Sequence, residues 1–135
     1  MFAVSVNYIA VFVATVAAWL FGAVWYYGFA VRWRDALGKT KEQMPDGRQP
    51  LGVMALSFAA EFVMAAVLAH FIAALGPVTI AHGLLTAATC WIGFVLTTII
   101  VNDGYTHNKL ALIAVASWHW LGVLLVMGAV IGAFD

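Results

Sequence analysis

The chain has 135 residues, 65% of them hydrophobic and 9% charged, with six Lys and Arg against six Asp and Glu and a mean hydropathy of +1.01. A soluble domain is about half apolar and a quarter charged, so this composition excludes that class and places the chain among membrane proteins. A net charge of zero and the lack of a basic nucleic-acid motif leave no ground for nucleic-acid binding; the partner implied is the lipid bilayer.

A helix needs roughly 20 apolar residues to cross a bilayer core about 30 Å thick. Four runs qualify, so the fold expected is an all-α integral membrane protein, a four-transmembrane-helix bundle in a single domain over residues 1–135. The first run is Tyr8 to Ala30. The preceding "MFAVSVN" is not a positive n-region, and the run is about twice the length of a signal's apolar core, so it is expected to stay in the protein. Its far end, "WYYGFAVRW", reads as an aromatic belt of Trp25, Tyr26, Tyr27 and Trp33. The loop 31–50 follows, the one truly hydrophilic segment. "TKEQ" there fits a weak capping box from Thr40 to Gln43, "PDG" a turn, and a short interfacial helix is compatible with both.

The second run, Leu51 to Leu75, and the third, Val78 to Val101, are separated by little more than Gly76 and Pro77, which demands an antiparallel hairpin. The third carries a polar stripe at His82, Thr86, Thr89, Gly93 and Thr97, spaced as one helix face. "NDGYTHNK" then reads as a solvated turn; Asp103 and His107 are too few to argue a metal. The fourth run is Leu110 to Phe134. Small-xxx-small patterns at Ala14, Ala18 and Gly22, and again at Gly128 and Gly132, allow close helix approach. The single cysteine, Cys90, excludes an intrachain disulfide.

All six Lys and Arg lie in the first and third connections: Arg32, Arg34, Lys39, Lys41 and Arg48, then Lys109. The positive-inside rule puts those loops in the cytoplasm and both termini outside it, in the bacterial inner (cytoplasmic) membrane.

Inside "SFAAEFVMAAVLAH" stands Glu61, with no other Asp, Glu, Lys or Arg within ten residues. Glu61 lies about ten residues in from Leu51, and His119 about nine in from Leu110. At about 1.5 Å per residue both are expected near the midplane. A lone charged carboxyl there costs about 3 kcal/mol or more, and neutralising it costs a similar amount. A hydrogen-bonded pair of Glu61 with His119 is therefore expected. Ser57, one turn away, is the possible support, with Cys90, Trp19 and Trp91 in the same layer. The bland reading is that these groups knit the bundle together; the functional one is a proton- or cation-binding site. His70 and His82 sit too near water, on neighbouring hairpin arms, for a bis-histidine haem. No nucleophile motif, phosphate loop or paired carboxylate is present, so no catalytic residue, no metal and no cofactor is expected.

"NYIAVFVATVAAWLFGAVWY" (Asn7 to Tyr26), "WIGFVLTT" (Trp91 to Thr98) and "MGAVIGAF" (Met127 to Phe134) resemble the bacterial membrane family of unknown function DUF1761, in the right order over nearly the whole chain. The resemblance implies four transmembrane helices with a polar first loop, and no activity. Members usually lack an acid and a histidine where Glu61 and His119 stand. Two functions follow, and a third, a membrane enzyme, has only His119 and Glu61 to stand on. One is a non-enzymatic membrane protein acting as a homo-oligomer or as a subunit of a larger assembly. The other is a small proton- or cation-coupled transporter using Glu61 and His119, with Trp19, Trp91, Trp118 and Trp120 as cation–π walls. The small multidrug resistance transporters are similar in having four helices and one membrane glutamate. There it stands in helix 1, here in helix 2, and the Lys and Arg bias here gives one topology.

Overall fold

The computed structural model describes residues 3–40, 42 and 50–134. The capping box, the "PDG" turn and the interfacial helix expected in the first loop lie outside the described residues, as does the side chain of Trp33. Five α-helices and one π-helical segment follow in order: α1 (Tyr8–Ala36), α2 (Leu51–Leu75), α3 (Ile80–Cys90), the π segment (Trp91–Leu96), α4 (Thr97–Tyr105) and α5 (Leu110–Ala133). The last three pieces before α5 run on without a break. Four stretches are therefore long and apolar enough to cross a membrane: Tyr8–Phe29, Leu51–Leu75, Ile80–Tyr105 and Leu110–Ala133. No strand occurs among the described residues.

The ends of these helices have local causes. Asn7 caps α1, its side-chain oxygen accepting from the backbone N–H groups of Ile9 and Ala10 at 3.0 and 3.2 Å, which satisfies two of the four orphan donors of a helix start. α1 runs six residues past the expected Ala30 because nothing breaks it before Gly38. That glycine takes φ +69°, and the amides of Gly38 and Lys39 donate to the carbonyls of Asp35 and Arg34, a Schellman ending. α3 begins at Ile80 rather than Val78 because Thr79 caps it, accepting from the amide of His82 at 3.2 Å.

α5 is the hub. It packs along α1 on one side and α3 on the other, and α2 packs chiefly on α1. The α3–α5 crossing is backbone to backbone: a Cβ at Gly83 would overlap the Gly128 carbonyl, one at Gly128 the Gly83 carbonyl, and one at Gly132 the Thr79 carbonyl. The α1–α5 seam uses Ala14, Ala18 and Gly22, all buried. Both small-residue patterns of the sequence are thus contact faces.

The core is uneven along the bundle. Val11, Ala14, Ala65, Leu68, Ile72, Ala87, Val123 and Met127 form one cluster, towards the end that holds the 76–79 connection (the hairpin end). Towards the opposite, loop end, no residue between Leu51 and Ala60 or between Trp91 and Tyr105 is buried. The third span is the least covered. Of its polar stripe only Thr86 is buried, while Thr89, Gly93 and Thr97 are exposed. The stripe leaves the buried face between Thr86 and Thr89, within α3 and before the π turn that begins at Trp91.

Buried polar groups form the candidate functional site

Both residues expected at the membrane's midplane are buried: Glu61 is 3% exposed and His119 is 5% exposed. They do not meet by a hydrogen bond. Glu61 Oε2 and His119 Nδ1 are each buried with no hydrogen-bond partner among the described residues.

The helix registers explain the separation. On α2, Ser57 accepts a hydrogen bond from the Trp19 indole at 3.0 Å, so Ser57 and Trp19 share a level; Phe58 packs edge-on against the same indole at 5.9 Å. Glu61 lies one turn beyond Ser57 towards the hairpin end, about 6 Å along the axis. His119 lies the other way. Its Nε2 would stand 2.9 Å from a Cβ at Gly22, three residues beyond Trp19 towards the loop end, or about 4.5 Å. The two polar groups are thus offset by about 10 Å along the bundle. Counting residues from each helix start had assumed that α2 and α5 begin at one depth. The contacts of Gly22 with His119 and of Phe21 with Gly122 show that α5 begins well nearer the loop end than α2 does.

Each group has its own surroundings. His119 is a ring among rings, with Tyr26 at 4.7 Å, Trp120 at 4.8 Å and Phe21 at 6.5 Å between centroids. Gly22 leaves the space the imidazole occupies, since a Cβ there would press on Nε2. Ser57 supports Trp19 rather than Glu61: it accepts from the indole and donates to the Met54 carbonyl at 2.8 Å. Trp91 donates to the Ser117 carbonyl at 2.9 Å and stacks on Trp118 at 6.1 Å, so it locks the π segment to α5. Cys90 is half-buried beside it. The four tryptophans therefore divide among three places and do not wall a single site. Replacing Trp19 by Phe keeps the ring and deletes the indole donor. The expected loss is about 1 kcal/mol, read as a shift in the denaturation midpoint in mixed micelles.

The remaining candidates are local. His70 Nδ1 donates to the Ala66 carbonyl at 2.8 Å. His82 packs its ring on Gly76. Asp103 accepts from the Asn108 amide at 2.9 Å, which ties the 106–109 turn. Among the described residues, no group of three or more His, Cys, Asp and Glu is placed to hold a metal ion. Two features escaped sequence reasoning. Thr15 is fully buried one turn from Trp19, and its signal, a hydroxyl four residues before a membrane-centre tryptophan, was available. The π segment has no composition cue of comparable force.

Fold and site together define the class, a four-helix membrane-spanning protein with isolated polar side chains buried inside it. The chain belongs to the family described as protein of unknown function DUF1761, whose model matches residues 9–132. Neither the curated proteins nor the solved structures contain a match.

Proposed function

We propose that this is a non-enzymatic protein of the bacterial inner membrane that works as a homo-oligomer or as one subunit of a larger membrane assembly. The observation that carries the reading is the exposed stripe Thr89, Gly93 and Thr97 on the third span. Among the described residues, nothing beyond its own stretch of helix lies within 4 Å of where a Gly93 side chain would begin. Thr89 and Thr97 donate to the carbonyls of Leu85 and Gly93 in their own helix. Their hydroxyls are therefore satisfied, and what they present is a small surface. In lipid, a small-xxx-small surface is where a second helix packs closely, and a two-fold dimer is the simplest closed arrangement.

In mild detergent the mass should correspond to an oligomer. Replacing Gly93 by Leu should convert it to monomer with unchanged helix content. A wild-type protein that stays monomeric at high concentration contradicts the reading. Lys and Arg placement supports a single orientation with both termini outside the cytoplasm. A reporter fused at Asp135 is expected to be active only on the periplasmic side; equal activity on both sides contradicts this.

A second reading is a small proton- or cation-coupled transporter. It is favoured by the unpartnered Glu61 Oε2 in the middle of a membrane span, since ionisable groups at that depth commonly mark ion pathways.

A further inference from the structure

The antiparallel register that joins Trp19 to Ser57 carries one turn further, to Thr15 on α1 and Glu61 on α2. Both are buried. The polar groups at this level share one property: their hydrogens are already committed. Thr15 Oγ1 donates to the Val11 carbonyl at 2.8 Å, and Ser57 Oγ donates to the Met54 carbonyl at 2.8 Å. A carbonyl only accepts, so these hydroxyl hydrogens are fixed. The Trp19 N–H is taken by Ser57. What remains towards Glu61 is lone pairs, two on Thr15 and one on Ser57. At this level a carboxylate anion is offered no free hydroxyl hydrogen, whereas a carboxylic acid, itself a donor, is offered lone pairs.

Among the described residues, no compensating cation is supplied from the elements packed against α2. The titratable groups on the elements packed against α2 are Tyr8, Tyr26 and Tyr27 of α1, with Arg32, Arg34 and Asp35 in its last turns beyond the Tyr8–Phe29 span, then His82 and Cys90 of α3 and His119 of α5. His70 on α2 itself is bonded to Ala66. Every described Lys and Arg lies outside the four spans. An alkali ion would need several more oxygens than a carboxyl and two hydroxyls supply. A proton needs none.

We propose that Glu61 is a proton-binding carboxyl, with the Thr15 and Ser57 hydroxyls as the acceptors set at its level. This deepens the transport reading by naming the ion. Its test is separable from transport, because a carbodiimide reacts with a protonated carboxyl whether or not anything is carried.

The experiment is labelling of the full-length protein in detergent with dicyclohexylcarbodiimide. The acid O–H adds across a C=N bond of the reagent, and the adduct rearranges to a stable N-acylurea whose mass can be mapped. One adduct per chain is expected, on Glu61, declining severalfold from acidic to alkaline buffer and unaffected by sodium at fixed pH. Thr15→Val, which keeps the shape and removes the acceptor, should move the labelling profile to lower pH, while Thr98→Val, at an exposed hydroxyl bonded to its own helix, leaves it unchanged. Absence of a Glu61 adduct at every pH overturns the proposal. So does protection by sodium, which would assign the site to an alkali cation. An unmoved profile in Thr15→Val removes Thr15 from it.

Discussion

Gly128→Val is expected to abolish the folded bundle. At this position α3 and α5 touch through backbone, and even a Cβ would overlap the Gly83 carbonyl and press on Ala87. Overpacked cores generally lose about 1–3 kcal/mol because flexible side chains move aside. Here the obstructing atoms are main chain on a rigid helix, so the loss should exceed about 3 kcal/mol. Gly28→Ala is the matched control: among the described residues nothing beyond its own stretch of helix lies within 4 Å of its Cβ position, and alanine in a helix is favoured over glycine by about 0.5–1 kcal/mol. Unfolding in mixed micelles, followed by helix content, compares the two. A Gly128→Val protein of wild-type stability would refute the close α3–α5 crossing.

His119→Ala should cost about 2–4 kcal/mol, through the space left among Tyr26, Trp120 and Phe21 rather than through a lost hydrogen bond. Thr97→Ala, at an exposed hydroxyl bonded to its own helix, should stay within about 0.5 kcal/mol of wild type. The informative variant is the double replacement. Had Glu61 and His119 been bonded, changing both to amides would restore part of what either change alone loses. With the two offset along the bundle, the costs of Glu61→Gln and His119→Gln should add within about 0.5 kcal/mol. A coupling above about 1 kcal/mol would return the pair to contact.

Much of the architecture was legible because membrane solvation imposes it. Four apolar runs gave the four spans, with α2 running from Leu51 to Leu75 as expected. Ala14, Ala18 and Gly22, and likewise Gly128 and Gly132, announced their contact faces because only small residues let backbones come together. The relation of Glu61 to His119 was not legible. It depends on where each helix starts along the bundle, which the apolar runs do not encode. The stripe on the third span misled for a related reason. Spacing identifies a helix face and not what covers it: Thr86 packs inside, while Thr89, Gly93 and Thr97 are exposed. Thr15 was overlooked because a threonine in an apolar helix commonly bonds back to its own backbone, as this one does. Its significance lies in what stands opposite, which only the α1–α2 register supplies.

The central claim is that register, with Glu61 held at the level of Thr15 and His119 at the level of Gly22. An isotope-edited NOE spectrum of the protein in detergent micelles tests it directly. The account predicts cross-peaks from the Trp19 indole N–H to the Ser57 β protons and from the His119 ring to the Gly22 α protons and the Tyr26 ring, with none between the His119 ring and the Glu61 γ protons. A His119–Glu61 cross-peak together with a missing Trp19–Ser57 one would contradict it.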